Sequence, residues 1–148
     1  MVVWRLQDSK FPLVNSEGAR LTGGRWNQAG TSVIYASEDI VLAAMEIMVH
    51  HGGIPEDYIG IRIEIPDDVE IDVIDNSPGW PDLVPEAVTA EQGTNWANAS
   101  RHAVLRVPSA TMSVSGYNYV LNPAHPDFAR ISFSFVPVKF DPRLRRQV

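Results

Sequence analysis

An arginine, a tyrosine and a glutamate lie close together in one stretch of the chain, residues 23–50, which reads GGRWNQAGTSVIYASEDIVLAAMEIMVH. The guanidinium of Arg25 could hold a phosphate or a carboxylate through two parallel hydrogen bonds. Tyr35 could stack on a ring or donate a hydrogen bond, and Glu46 contributes a carboxylate within an otherwise apolar segment. Because the three residues lie on three different kinds of backbone, they could converge on one anionic, aromatic ligand.

Each of these residues also has a purely structural interpretation. Arg25 could be a surface residue stacked on Trp26, and Tyr35 could belong to the core. Burying a lone carboxylate costs several kcal/mol. Glu46 is therefore a functional group, a boundary residue that reaches solvent, or the partner of His50 one helical turn later. The local sequence leaves these alternatives open.

The elements that would position the three residues can be predicted from the same stretch. Residues 32–36 read as a short strand, and Ser37 is a good N-cap because its hydroxyl can accept from an amide of the first helical turn. The helix that follows is predicted to stop at the double glycine of residues 52–53. Its apolar residues cover nearly every face, which predicts burial on several sides. The glycines at 23–24 allow positive φ or a close approach to a ligand.

The remaining pattern predicts a single α+β domain over residues 1–148 with a mainly antiparallel sheet, because strands and helices do not alternate regularly. A weak helix is predicted at residues 86–100, broken near Gly93, and loops are predicted at residues 7–24 and 116–128. The expected strands are residues 2–6, 32–36, 58–65, 69–74, 102–107 and 131–140, with residues 110–114 as a continuation after a kink.

The composition limits the classes of function. The chain has 148 residues, 45% of them hydrophobic, which suits one domain with a packed core. A net charge of -6 argues against a general nucleic-acid binder. There is no cysteine, no basic leader and no apolar run long enough for a membrane span, so we expect a cytoplasmic protein. The sequence contains no P-loop, no G-x-G-x-x-G and no histidine spacing typical of a metal site.

Four further polar residues are candidates for ligand binding. Arg5 lies on the first predicted strand, where the alternative is a solvent-facing side chain. Ser109 follows Pro108 at a strand end and can position a ligand oxygen. It is not expected to be a hydrolase nucleophile, because no G-x-S-x-G surrounds it. Asn118 and Asn122 lie in the late loop, where asparagine often caps turns instead.

Taken in order, several segments of the chain resemble the RES-domain family of small bacterial toxins. The family is named for an Arg, a Glu and a Ser, and the matching positions here are Arg25, Glu46 and Ser109. The segments run nearly from one end of the chain to the other, and their order is more specific than any one of them. They read WRL, GGRWNQAG, VIYAS, LAAMEIMVH, VLRVPSA, NYVLNPAHPDF and KFDPRL.

The resemblance implies an ADP-ribosyltransferase-like fold in which two small, mainly antiparallel sheets flank a cleft. It implies a toxin that depletes NAD+ by cleaving the nicotinamide–ribose bond and transferring ADP-ribose to inorganic phosphate or water. NAD+ would be a substrate, phosphate a co-substrate, and no metal or permanent cofactor would be needed. Glu46 and Arg25 would be catalytic. The residues expected to bind NAD+ or phosphate are Arg5, Arg25, Tyr35, Ser109, Asn118 and Asn122.

The family also implies a partner, an antitoxin with an Xre-type helix-turn-helix whose C-terminal part blocks the cleft. Two other functions remain open: a protein ADP-ribosyltransferase that uses the same cleft, and a module that binds its partner without catalysis. A ribonuclease is disfavoured by the acidic balance. The alternating strands allow a homodimer.

Overall fold

The computed structural model describes residues 1–76, 80–112 and 114–147. Within these ranges the chain forms seven strands, three α-helices and two short 3₁₀ turns, Pro126–Arg130 and Pro142–Leu144. The α-helices are α1 (Glu17–Thr22), α2 (Ile40–His51) and α3 (Glu86–Ala99). The strands are β1 (Val2–Asp8), β2 (Ile34–Ser37), β3 (Tyr58–Glu64), β4 (Ile71–Val73), β5 (Val104–Pro108), β6 (Tyr117–Leu121) and β7 (Ser132–Val136).

The strands form one sheet in the order β4-β5-β6-β2-β1-β3-β7. Every neighbouring pair is antiparallel except β4 and β5, which are parallel. The prediction of an α+β fold with a mainly antiparallel sheet is therefore confirmed.

The sheet is continuous, whereas the family resemblance implied two small sheets. It is nevertheless almost divided between β1 and β2. β1 pairs with β3 along its whole length, yet β1 and β2 are in register only at Trp4 and Ser37. Beside that pair the Arg5 side chain donates from Nη1 to the carbonyl of Tyr35, 2.9 Å away. The Arg5 side chain thus occupies a β2 carbonyl that a longer β1–β2 ladder could use as an acceptor. The two halves of the sheet are paired at a single register position.

The core consists of two hydrophobic clusters, which do not follow this division of the sheet. The larger one joins residues of both halves of the sheet, including Val3, Ile34 and Ile63. The smaller one is built around Trp26 and Trp96 and includes Val107 of β5. Since Trp26 belongs to the glycine-rich segment, that segment is anchored in the core by its own side chain.

α2 differs from the prediction in two respects. Its N-cap is Asp39, whose side chain accepts from the amide of Leu42 at 2.7 Å, whereas Ser37 is the last residue of β2. The expected burial on several sides is also wrong, because Val41 and Val49 are 66% and 67% exposed. One side of the helix packs against β1 and β2. The apolar residues on its other side are therefore left exposed.

Three other predictions are corrected. α1 lies inside the loop predicted at residues 7–24, and β6 lies inside the loop predicted at 116–128. The described residues among 110–114 form turns and bends rather than a strand, and Ser113 lies outside the described part. β6 pairs with β2 and β5 on both sides, and its Tyr, Val and Leu residues suit a strand, whereas the Asn, Pro and His of the surrounding segment indicated a loop.

α3 runs without a break through Gly93, where the sequence predicted an interruption. A Cβ atom at this position would lie 1.7 Å from the carbonyl oxygen of Trp26. Glycine is therefore required because the helix and the Trp26 backbone touch, and not because the helix ends there.

We expect Gly93→Ala to lower the free energy of unfolding by about 2 kcal/mol or more, since the clash exceeds the helix preference of alanine. Gly18→Ala in α1 is the matched control, because a Cβ there meets nothing within 4 Å. Urea denaturation of both variants tests this contact. A Gly93→Ala protein as stable as the wild type would show that α3 does not approach Trp26 so closely.

Candidate active site

Glu46 lies on α2 and its carboxylate is held by three uncharged donors. The Ser109 hydroxyl and the Asn118 amide donate to Oε1 at 2.7 and 2.9 Å. The Thr111 hydroxyl donates to Oε2 at 3.1 Å. The carboxylate is therefore fixed in orientation from both of its oxygens, which is what a group that must face a reacting centre needs.

The donors are themselves held in place by β2, β5 and β6. Ser37 stands opposite Asn118 in the β2–β6 ladder, and its hydroxyl donates to Asn118 Oδ1 at 2.7 Å. The amide group of Asn118 is thereby turned with its N–H atoms toward Glu46. Ser109 is only 1% exposed. Its hydroxyl oxygen accepts from the amides of Thr111 and Met112, so its single hydrogen is directed to Glu46.

No charged partner accompanies this carboxylate. Among the residues that the structure describes, no ion pair within 4.0 Å includes Glu46. The alternative in which it pairs with His50 is therefore not observed, and the arginines do not touch it. Its negative charge is left available for a ligand.

Tyr35 positions the segment that carries Arg25. Its hydroxyl donates to Asn27 Oδ1 at 2.6 Å and accepts from the Trp26 amide at 3.0 Å. A Cβ at Gly24 would lie 2.9 Å from that hydroxyl, so the glycine permits this close approach. Burial raises the pKa of Tyr35, while its hydrogen bond from the Trp26 backbone partly opposes this.

Arg25 is linked to the Glu46 site through Trp80. The Arg25 guanidinium carbon lies 5.6 Å from the centre of the Trp80 ring, a distance typical of a cation–π contact. The indole Nε1 of Trp80 donates to the carbonyl of Ser109 at 3.0 Å. One aromatic side chain thus connects the arginine to the residue that holds Glu46.

Sequence reasoning missed several residues of this site. Trp80 stands in a stretch, SPGWPD, that matched no motif, although a tryptophan among proline and glycine residues was a usable signal. Thr111 was not singled out at all. Thr89 and Thr94 of α3 were also missed: the first donates to the Arg25 carbonyl, and the second accepts from the Gln28 amide at 2.8 Å.

Two candidates lie apart from the carboxylate. Arg5 donates to Gln7 and to the Tyr35 carbonyl at the narrow junction of the sheet, and burial lowers its pKa. Asn122 donates to Ala97 and accepts from the Ala124 amide. It lies about 13 Å along the strand direction from Asn118. The structure thus brings Glu46, Ser109 and Asn118 into contact and connects Arg25 and Tyr35 to them. Arg5 and Asn122 instead make hydrogen bonds within the fold, away from the carboxylate.

The described residues, 1–76, 80–112 and 114–147, contain neither a cluster of metal-binding side chains nor a membrane-spanning helix. No group of three or more histidine, aspartate or glutamate side chains there could hold a metal ion. No helix in these ranges is both long and apolar enough to cross a membrane.

Comparison with known proteins gives a consistent result. A family model described as the RES domain matches residues 2–143. A curated relative from Sphingobium sp. (strain YBL2), named Prs ADP-ribosylating toxin, is 37% identical over 142 residues, covering 90% of this chain and 88% of its own. A protein named Toxin Res from Photorhabdus laumondii is 36% identical over 135 residues, covering 86% and 85%.

A solved structure shares the fold. It is the toxin–antitoxin complex MbcT-MbcA of M. tuberculosis, matched with a TM-score of 0.67 over 93% of this chain and 83% of that chain. The sequence identity is 16%, so the likeness concerns the fold.

Tyr35→Phe tests whether the Tyr35 hydroxyl holds the Arg25 segment. At neutral pH we expect a loss of about 1–3 kcal/mol of stability, because Asn27 and the Trp26 amide lose a buried partner. The raised pKa means that the folded wild type keeps the phenolic proton where the unfolded chain, with a pKa near 10.0, releases it. The contribution of the Tyr35 hydroxyl to the free energy of unfolding is complete below about pH 10. It declines as the pH rises further, by at most about 1.4 kcal/mol per pH unit.

The stability difference between wild type and Tyr35→Phe should therefore narrow above pH 10. Other tyrosines remain in both proteins and cancel in the comparison. Urea denaturation at a series of alkaline pH values measures it, and a difference that stays constant with pH would contradict a buried, neutral Tyr35.

Proposed function

This chain belongs to the RES domain family, and from this premise we propose that it is the toxin of a bacterial toxin–antitoxin pair and consumes NAD+. The relatives named as toxins support the first part, and the toxin–antitoxin complex that shares the fold supports the presence of an antitoxin. The single observation that carries the chemistry is a Glu46 carboxylate that is oriented by three neutral donors and has no ion-pair partner within 4.0 Å among the described residues.

The reaction would break the bond between the ribose C1′ and the nicotinamide nitrogen. The bonding electrons leave with nicotinamide, which departs neutral, and the sugar becomes an oxocarbenium-like cation, as in glycoside cleavage. Catalysis then consists mainly of stabilising that positive charge in a fixed geometry. Glu46 would face the sugar, while Ser109, Thr111 and Asn118 keep its oxygens directed there. An oxygen of the acceptor forms the new bond to C1′. Water releases a proton to the solvent in this step, whereas an ionised oxygen of phosphate has none to lose.

Arg25 would bind the pyrophosphate of NAD+. Its guanidinium is stacked on Trp80 and takes part in no ion pair within 4.0 Å among the described residues, so its donors can serve an anion. Tyr35 would act chiefly by holding the Arg25 segment, since its hydroxyl already has two partners. Arg5 would act on the same segment through the Tyr35 carbonyl.

For the acceptor we propose inorganic phosphate or water. A protein acceptor is the second candidate, and the name of the Sphingobium relative, an ADP-ribosylating toxin, specifically favours it. The partner would be an antitoxin with an Xre-type helix-turn-helix, bound over the cleft in the cytoplasm, as the resemblance to the family implies.

Glu46→Ala should reduce NAD+ consumption by about 10²–10³-fold or more if the carboxylate stabilises the cationic sugar. Glu46→Gln keeps the size of the side chain and should be similarly inactive, which separates loss of charge from loss of packing. Glu91→Gln, an exposed glutamate of α3, is the matched control and should keep full activity. Wild-type NAD+ turnover in either Glu46 variant would refute the proposed role.

The acceptor can be identified from the products. Purified protein is incubated with NAD+ in the presence and absence of inorganic phosphate, and products are separated by chromatography with mass detection. Phosphorylated ADP-ribose that appears only with phosphate would establish phosphorolysis, and free ADP-ribose in both reactions would establish hydrolysis. A parallel reaction contains labelled NAD+ and cell lysate. NAD+ loss only in this reaction, together with a discrete labelled protein band, would instead establish a protein acceptor.

A further inference from the structure

Trp80 lies between β4 and α3 and is half-buried. Its ring centre lies 5.7 Å from that of Trp26, with an angle of 32° between the ring planes. It packs against the hydrophobic cluster that contains Trp26 and Trp96, so one side of the indole is fixed by the core. The same ring makes two contacts that reach the candidate active site, one with Arg25 and one with Ser109.

The two contacts use different parts of the indole. The Arg25 guanidinium carbon lies 5.6 Å from the ring centre, and its attraction depends on π-electrons that phenylalanine also offers. The Nε1–H group of Trp80 instead donates to the carbonyl of Ser109 at 3.0 Å. Indole has this single donor and a phenyl ring has none. One substitution can therefore remove the second contact and keep the first.

The bond from Trp80 completes the hydrogen bonding of Ser109. The Ser109 amide donates to the carbonyl of Gly116 at 3.0 Å. Its hydroxyl donates to Glu46 at 2.7 Å and accepts from the Thr111 amide at 3.1 Å. The carbonyl is the remaining polar group of this residue, and Trp80 supplies its donor. A residue held through its amide, its hydroxyl and its carbonyl has little freedom to turn away from Glu46.

The Ser109 carbonyl belongs to the peptide unit between two residues that orient Glu46. Ser109 donates to Oε1 of the carboxylate, and Thr111 donates to Oε2. A peptide unit is planar and turns as one body, so a hydrogen bond to its oxygen restrains the backbone on both sides. Without that bond, rotation of the backbone at residues 109–111 would move both hydroxyl groups relative to the carboxylate.

We propose that Trp80 is a positioning residue for the NAD+ reaction and that its two contacts act on different steps. The face of the ring holds Arg25 in place for ligand binding. The Nε1–H group holds the Ser109 peptide, so that Glu46 keeps the orientation needed for bond cleavage. Trp80 acts through these residues and does not need to touch the reacting atoms. The inference rests on the proposed function, because it assigns steps of that reaction.

Trp96 allows this role to be separated from simple packing. It lies in the cluster against which Trp80 packs, and it is 8% exposed. Its Nε1 atom is buried and makes no hydrogen bond within the described part of the chain. Trp96→Phe and Trp80→Phe therefore remove the same atoms from one hydrophobic region, but only the second also removes a hydrogen bond.

Steady-state consumption of NAD+ by the purified full chain measures both steps. Trp80→Phe should lower kcat about three- to tenfold, the effect of one lost neutral hydrogen bond, and leave KM for NAD+ nearly unchanged. Trp80→Leu also removes the aromatic face, so it should lower kcat similarly and raise KM about threefold or more. Trp96→Phe is the matched control and should keep both constants close to those of the wild type.

Hydrogen exchange of the backbone amides, followed by NMR without NAD+, tests the contact itself. The amides of Thr111 and Met112 donate to Ser109 Oγ at 3.1 and 3.2 Å. They should exchange faster in Trp80→Phe than in the wild type, because the segment opens locally more often. In Trp96→Phe their exchange rates should match those of the wild type.

Three results would overturn the proposal: a wild-type kcat in Trp80→Phe, an equal loss of kcat in Trp96→Phe, or unchanged exchange of the two amides in Trp80→Phe. A wild type that consumes no NAD+ would instead refute the proposed function, and with it the kinetic part of the proposal. Faster amide exchange in Trp80→Phe would in that case still support the fixing of the Ser109 segment by Trp80.

Discussion

The fixed orientation of the Glu46 carboxylate is the constraint on which the rest of this structure depends. Its three donors are remote from it in sequence: Ser109 and Asn118 lie at facing ends of β5 and β6, and Thr111 lies in the turn between them. They can meet on α2 only if the strands keep their register. Hydrogen bonds between neutral donors and a carboxylate orient the charge without cancelling it, which suits the proposed reaction through a cationic sugar.

A second set of contacts places the arginine segment against this carboxylate. Tyr35 holds it from the sheet through its hydroxyl, and α3 holds it from the other side through Thr89, Thr94 and the close approach at Gly93. These contacts involve backbone atoms of the segment and leave the Arg25 guanidinium on Trp80. The backbone is thereby rigid while the charged side chain remains available, an arrangement that lowers the entropic cost of binding an anion.

Local patterns predicted the elements whose sequence and environment agree. β3 was predicted because its isoleucines alternate with polar residues, and α2 because an apolar run ends at a double glycine. β6 was missed although its own residues, YNYVL, favour a strand, because the surrounding segment is rich in Asn, Pro and His and its two pairing partners are distant in sequence. The family resemblance identified Arg25, Glu46 and Ser109, but no pattern in the sequence indicates that Trp80 would connect them. Such a link arises only when a loop folds back over a strand end.

The arginines show how a chain with net charge -6 can keep a positive charge at one place. Arg20, Arg62, Arg130 and Arg143 pair with carboxylates at the surface, so their charges are locally neutralised. Arg25 instead lies over the ring of Trp80. A ring stabilises a guanidinium through its face and leaves the in-plane N–H donors unused. Arg25 thus retains its positive charge at a point connected to the Glu46 site, and it is the placement of charges rather than their sum that determines which ligands can bind.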